Sequence, residues 1–190
     1  MDERVLRRLE FNLVRERLAH FAVSAIGREL AMGLTPATDA ETVAHGLTET
    51  AEARKLLRLE PGFDFGGWHD TRAELKRLQQ GAVLEAAQLY RVAENLAAIR
   101  RVKAFFDGRG NVYPALKQLS LGLVPFPEIE ERIRSCIRPP GEVANEATPL
   151  LGDTRRRMER LKNEIKEALN CYVRSAAWQK YLQDPIVTVR

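Results

Sequence analysis

The sequence lacks the features that would place it in several common protein classes. It holds only two cysteines in 190 residues, Cys136 and Cys171, too few for a disulfide framework or a zinc clip. No apolar run approaches the roughly 20 residues that a transmembrane helix needs. The charged start has no apolar core of the kind found in signal peptides. These absences predict a cytoplasmic protein with no membrane partner.

The sequence also lacks the motifs of common catalytic sites. No glycine stands in the G-x-x-x-x-G-K-[ST] frame of a P-loop, and no G-x-G-x-x-G occurs. The three histidines are scattered at spacings that suit no zinc motif. His69 and Asp70 are neighbours, but no nucleophile accompanies them, so a loop and a helix cap are the favoured roles. We therefore predict no catalytic residue, no metal site and no cofactor within this chain.

What remains is the composition of a soluble, core-forming protein, with 45% hydrophobic and 29% charged residues. The net charge is +4, and it is concentrated near the C-terminus. Between Leu151 and Leu182, eight Lys or Arg residues face four Asp or Glu residues, an excess equal to the net charge of the whole chain. The rest of the chain is neutral on balance.

The spacing of apolar residues predicts an all-α fold made of amphipathic helices. A first helix is predicted from Arg4 to Phe21, and Ser24 is placed to cap a second. Thr38 to Glu41 matches a capping box with Thr38 as the N-cap, opening a helix that Pro61 ends. Asp70 is predicted to be the N-cap of a further helix, and Gly81 is expected to follow the last turn of that helix. Other helices are predicted over Leu89–Phe106 and near Tyr113–Leu121 and Pro127–Ile137.

The domain boundaries follow from these elements. Residues 1–138 are expected to form a helical core domain, and residues 139–149 a proline-rich linker. The core includes an irregular aromatic loop with Phe63, Phe65 and Trp68. These rings could stack on nucleic-acid bases, although a plug packed against the helices is the favoured interpretation.

Residues 150–183 are predicted to form one long helix with a coiled-coil pattern. At ~1.5 Å per residue such a helix would be roughly 50 Å long, so it needs a partner helix elsewhere. Residues 184–190 hold the β-branched strand Ile186–Val189, which has no evident partner and is expected to begin a β-containing domain of a longer protein. The heptad positions of the helix are Leu151, Thr154, Met158, Leu161, Ile165, Ala168 and Tyr172.

The same helix carries the candidate nucleic-acid contacts. A basic helix can follow phosphates without choosing a sequence. From charge alone the alternative of a solvated helix face is favoured, because Glu159 and Glu164 lie at helical spacing from several of the cations. The candidate phosphate contacts are Arg155, Arg156, Arg157, Arg160, Lys162 and Lys166.

Several segments resemble one protein family across essentially the whole chain. The chain is similar to the N-terminal part of the second type of bacterial MutS protein, which carries a C-terminal Smr nuclease domain. Thr71 departs from the isoleucine usual at its position in that family. The matching segments are Leu9–Phe11, Ser24–Leu30, Leu34–Asp39, Gly66–Arg72 and, most specifically, Gln179–Arg190.

The resemblance implies an architecture and a function. MutS-like proteins have a helical core, two long lever helices, a β-rich clamp between the levers, and an ATPase domain that forms the homodimer and binds ATP and Mg²⁺. The chain would then be a helical core bundle with one protruding lever helix, ending at the first strand of a truncated clamp. The family is associated with branched DNA, suppression of homologous recombination, and nicking by the Smr domain. It is also associated with sensing and splitting collided ribosomes.

One alternative stays open from the residues themselves. The chain could be a non-catalytic coiled-coil scaffold whose heptad stripe forms a dimer or docks on a ribosome. In that case any contact with nucleic acid would be incidental.

Overall fold

The computed structural model describes residues 3–175 and residue 178, and over these residues the fold is all-α, as predicted. Two compact units divide the chain, Met1–Glu142 (unit 1) and Val143–Arg190 (unit 2). No helix in the described part is both long and apolar enough to cross a membrane. The helices of the described residues are α1 Glu3–Arg8, α2 Phe11–Phe21, α3 Ala25–Met32, α4 Ala40–Leu59, α5 Arg72–Gln79, α6 Ala86–Arg109, α7 Pro114–Ser120, α8 Pro127–Cys136 and α9 Pro149–Arg174.

The predicted first helix from Arg4 to Phe21 is wrong, because the chain turns at Glu10 and forms two helices. Glu10 adopts a left-handed backbone conformation with φ of 53°. Its N–H donates to the Arg7 carbonyl at 3.1 Å, and its own carbonyl accepts from the Leu13 N–H at 2.9 Å. No glycine or proline marks this position, so the apolar spacing runs through the break without a signal.

The N-cap residues of two helices, α3 and α4, can be compared with the residues predicted from the sequence. Ser24 is confirmed as an N-cap, since its hydroxyl accepts from the Gly27 N–H at 3.0 Å. The prediction of Thr38 as N-cap is wrong by one residue. Asp39 caps α4 instead, accepting from the Thr42 N–H at 2.7 Å. A charged carboxylate makes the stronger cap hydrogen bond and also favours the positive end of the helix.

The N-cap predicted at Asp70 is also displaced. The N-cap of α5 is Thr71, while the Asp70 carboxylate accepts from the Arg72 N–H at 3.2 Å. The predicted C-terminal glycine is confirmed: Gly81 has φ of 81° and donates its N–H to the Leu78 carbonyl at 2.9 Å. Glycine adopts this left-handed conformation without the steric cost of a Cβ.

The core of unit 1 is built on α6. Its buried face combines the small residues Ala93, Ala97 and Ala98 with the larger Val102 and Phe106. Small residues let neighbouring elements approach α6 closely, and the larger ones fill the space beyond them. The last two join a cluster with Leu56 of α4 and Tyr113, both 1% exposed.

Glu52 joins α4 to α7. Its two carboxylate oxygens accept from the N–H groups of Ala115 and Leu116 at 3.2 and 3.0 Å. These amides belong to the first turn of α7, where no carbonyl of the same helix can reach them. A half-buried side chain of one helix therefore supplies the cap of another.

A short strand pair, β1 (Ile137–Arg138) and β2 (Glu142–Val143), was not predicted. Gly141 turns between them with φ of 137°, and a Cβ there would lie 2.6 Å from the Ala87 Cα. Strands of two residues are too short to show an alternating pattern. The segment 139–149, predicted as a linker, also contains a 3-10 turn over Asn145–Ala147.

The long helix was predicted to run through residue 183, but α9 ends at Arg174. Ser175 turns to an extended conformation and donates its N–H to the carbonyls of Cys171 and Tyr172 at 3.1 and 3.2 Å. The 26 residues of α9 make a helix of about 39 Å rather than 50 Å. The predicted strand Ile186–Val189 lies outside the described residues.

Candidate nucleic-acid interface

The start of α9 is held against the turn that precedes it in unit 2. The Thr148 hydroxyl caps the helix by accepting from the Leu151 N–H at 3.2 Å. Gly152 is buried, and a Cβ at this position would lie 2.9 Å from the Asn145 carbonyl oxygen. Only a residue without a side chain lets the turn approach so closely.

Arg155, the first candidate phosphate contact, reinforces this junction. Its Nη1 donates to the Val143 carbonyl at 2.8 Å and to the Asn145 Oδ1 at 2.6 Å. The side chain is half-buried. Both hydrogen bonds would have to break before Nη1 could bind a phosphate, so the geometry favours a structural role for Arg155.

Three further candidates are paired with acidic residues of the same helix. These pairs are exposed, so each contributes little to stability, about 0.5 kcal/mol or less. They nevertheless neutralise the cations locally. The pairs are Arg156 with Asp153, Arg160 Nε with Glu164 Oε1 at 3.7 Å, and Lys162 Nζ with Glu159 Oε1 at 3.0 Å.

Arg157 and Lys166 make no ion pair with any residue of the described chain. They are nine positions apart, which places them on opposite sides of the helix, about 180° apart at about 100° per residue. The six candidates together spread over about 220° of the circumference. The structure therefore does not gather them into one stripe along a phosphate backbone, and their contact with nucleic acid stays a prediction.

A second face of α9 is apolar and exposed. Five large side chains on this face are between 42% and 58% exposed. Most of them occupy the heptad positions predicted from the sequence. We call this face the heptad stripe; its large exposed members are Met158, Leu161, Ile165, Leu169 and Tyr172.

In unit 1, the aromatic loop packs as a plug, which confirms the favoured interpretation. The Phe63 ring lies 4.1 Å from that of Phe105 and 4.5 Å from that of Phe65, measured between centroids. Phe63 and Trp68 both pack against the buried cluster of α4 and α6. Phe63 and Trp68, held in this way, are not free to stack on bases, whereas Phe65 stays 37% exposed.

Asn95 of α6 fastens the end of this loop. Its Oδ1 accepts from the His69 N–H at 2.7 Å, and its Nδ2 donates to the His69 carbonyl at 2.9 Å. Nδ2 also donates to the Thr71 hydroxyl at 3.0 Å. The imidazole of His69 contacts Glu94 through Nε2, 2.7 Å from the carboxylate oxygen Oε2. His69 is thus tied to α6 by both its backbone and its ring.

Arg72 forms an ion-pair network that the sequence did not predict. Its guanidinium donates to both oxygens of Glu29, at 2.6 and 2.7 Å, and to both oxygens of Asp70, at 2.6 and 2.8 Å. Hydrogen bonds from Arg72 lower the pKa of the Asp70 carboxyl to about 2 and hold the pKa of Glu29 below its usual value. Glu29 is 43 positions from Arg72, so no local spacing pointed to the pair.

The described residues contain no group of three or more His, Cys, Asp or Glu side chains that could hold a metal ion. The arrangement in unit 1 consists of packing contacts and paired charges.

No protein-family model matches the chain. Over all 190 residues, however, the chain is 44% identical to a protein of Pelotomaculum thermopropionicum named endonuclease MutS2. It is 43% identical to the protein of that name in Symbiobacterium thermophilum, and 36% identical to the one in Alkaliphilus oremlandii. The chain belongs to the MutS2 family. It spans about a quarter of the length of these curated relatives.

Family membership confirms the resemblance stated from the sequence, and the structure explains one of its motifs. The segment Gly66–Arg72 turns at Gly67, whose φ is 86°. Its last residue, Arg72, opens α5 and donates hydrogen bonds both to Asp70 of the same segment and to Glu29 of α3. In this member of the MutS2 family, the motif therefore joins the aromatic loop to two helices of unit 1.

Proposed function

We propose that the chain is the core and lever module of a MutS-like, DNA-binding ATPase and endonuclease. Unit 1 would be the helical core, and α9 would be the lever. The observation that carries the proposal is the whole-chain match to proteins named endonuclease MutS2, together with a helix of 26 residues that exposes an apolar stripe. A stiff helix suits this role, because rigid elements carry displacement between distant sites.

The junction at the start of α9 supports the lever assignment. The cap from Thr148, the close approach at Gly152 and the two hydrogen bonds of Arg155 join the helix to the turn Asn145–Ala147. A displacement of the turn would therefore move the helix with it rather than bend the chain between them.

The remaining parts of the proposal concern the longer protein. ATP and Mg²⁺ would bind in an ATPase domain that this chain does not match. That domain would hydrolyse ATP and form the homodimer. The proposed nucleic-acid target is branched DNA, with suppression of homologous recombination as the outcome. Collided ribosomes, which the protein would sense and split, are a further proposed target.

The heptad stripe gives the proposal a direct test in the intact protein. Leu161→Asp places a charge in the stripe, while Asn163→Asp adds the same charge on the far side of the helix, about 160° away at about 100° per residue. We expect Leu161→Asp to abolish the dependence of branched-DNA affinity on bound nucleotide. Asn163→Asp should leave that dependence intact. Equal behaviour of the two variants would contradict a lever function for α9.

The exposed stripe also favours a second candidate, a coiled-coil scaffold that pairs with another copy. Against parallel pairing, Arg157 and Lys162 occupy the flanking heptad positions that meet across such a dimer, and like charges there repel. Sedimentation of the chain at increasing concentration separates the candidates. A dimer that is lost in Leu161→Asp but kept in Asn163→Asp supports the scaffold, whereas a monomer at all concentrations supports the lever.

A further inference from the structure

Three cations converge on the outward face of α4. Arg54, Lys55 and Arg58 line one surface depression together with Ala51. Successive helix positions turn by about 100°, so these three side chains leave the helix within an arc of about 100°. We call them the α4 basic patch.

This face of α4 carries no acidic residue. At the same helical angle, the preceding turns carry Ala44, Leu47 and Ala51. The nearest carboxylates of α4 are engaged on other sides of the helix. Glu49 contacts His45 Nδ1 at 3.3 Å, and both oxygens of Glu52 bind the first amides of α7.

The three cations therefore lack ion-pair partners among the described residues. The Lys55 ammonium lies 5.7 Å from the centroid of the Tyr113 ring, a cation–π contact that leaves its charge uncompensated. Arg54 and Arg58 stand four positions apart, where like charges destabilise a helix. A bound polyanion would relieve this repulsion.

The cations of α4 differ from those of α9 in their arrangement and in their pairing. On α9 the six candidates spread around the helix, three of them pair with acids, and Arg155 holds the preceding turn. On α4 three cations share one side with no acid among them. An arginine guanidinium can also bind two oxygens of one phosphate at once.

We propose that the α4 basic patch binds the phosphodiester backbone of nucleic acid without choosing a sequence. The inference rests on the proposed function as a nucleic-acid-handling module, and it moves the main phosphate contact of this chain from α9 to α4. Each phosphate contact on a duplex adds about 0.9 to the slope of log affinity against log salt concentration. Three contacts should therefore account for a slope of about 2.7.

The test measures binding of the intact protein to a short mixed-sequence DNA duplex, and to an RNA duplex of the same sequence, across a salt series. The test variant replaces Arg54, Lys55 and Arg58 by glutamine. A matched control replaces Lys76, Arg77 and Arg132 by glutamine; these are three exposed cations of unit 1 that make no ion pair with a described residue, so both variants lose the same charge. Thermal melts monitored by circular dichroism check that both variants fold.

We expect the α4 variant to lose about 2.7 from the slope. Between about 50 and 200 mM salt, wild-type affinity should then fall roughly 40 times more than that of the variant. The control should keep the wild-type slope. A change confined to one duplex identifies DNA or RNA as the ligand that supplies the phosphates.

Two results would overturn the proposal, and they differ in what else they affect. If the α4 variant keeps the wild-type slope while Arg156→Gln, Arg157→Gln and Arg160→Gln together lower it, the α4 assignment fails and the proposed function stands. If the wild-type protein binds neither duplex nor a branched DNA junction, the proposed function fails together with the α4 assignment.

Discussion

Replacing Gly152 by alanine should destabilise the start of α9, whereas the same replacement at Gly46 should stabilise α4. Both glycines lie inside helices. At Gly46 a new Cβ would meet nothing within 4 Å, but at Gly152 it would lie 2.9 Å from the Asn145 carbonyl oxygen. That distance is shorter than Cβ atoms adopt in folded proteins, so the turn or the helix must shift.

The magnitude follows from two opposing effects. Alanine in a helix interior is favoured over glycine by about 1 kcal/mol at both positions. Overpacking a tight contact costs about 1–3 kcal/mol, and this cost applies only to Gly152. We therefore expect a gain of about 1 kcal/mol for Gly46→Ala and a loss of about 1 kcal/mol for Gly152→Ala.

Urea unfolding followed by circular dichroism would give the change in the free energy of unfolding for each variant. Amide hydrogen exchange in the first turns of α9 would locate the loss, because only the junction with Asn145–Ala147 should open more often. If Gly152→Ala stabilised the protein as much as Gly46→Ala, the contact between Gly152 and the Asn145 carbonyl would not be rigid. In that case α9 and the turn Asn145–Ala147 would not move as one body.

Two further predictions concern charged side chains. Because the folded pKa of Asp70 is lowered to about 2, below the ordinary value of about 3.9, the stability from its pairing with Arg72 should be complete above about pH 4. It should be lost as the pH falls through 2; a carboxyl carbon NMR titration that gives Asp70 an ordinary pKa would contradict this. Arg155→Gln should lower the free energy of unfolding by about 1–2 kcal/mol through its two lost hydrogen bonds, while Arg157→Gln should change it by less than about 0.5 kcal/mol in the same urea experiment.

The parts of the fold that the sequence predicted are those with strong local signals. Ser24, Gly81 and Pro127 at the start of α8 each fix a helix end by chemistry within a few residues. Glu10 shows the opposite case. Its left-handed turn occurs at a residue with no special preference for it, and an uninterrupted apolar pattern surrounds the break.

The candidate site was harder to predict, because the run Arg155–Arg157 is conspicuous in sequence but dispersed around a helix. Consecutive residues leave a helix about 100° apart, so a run of like charges cannot form one stripe. Arg54 and Arg58 of α4 stand four positions apart, a spacing that does place both on one side of the helix. The pairing of Glu29 with Arg72 depends on tertiary contact between distant segments, which spacing alone does not encode.

The hydrogen bonds of Asn95 have a consequence for sequence variation among relatives. Its carboxamide offers His69 the same donor and acceptor that a neighbouring peptide group would offer. Aspartate would keep the acceptor and lose the donor, leucine would lose both, and glutamine would move the amide outward by one methylene. No other amino acid reproduces this exchange at the same reach. Relatives whose loop docks on α6 in this way are therefore expected to keep asparagine at position 95, and a relative with another residue there should hold the loop by different contacts.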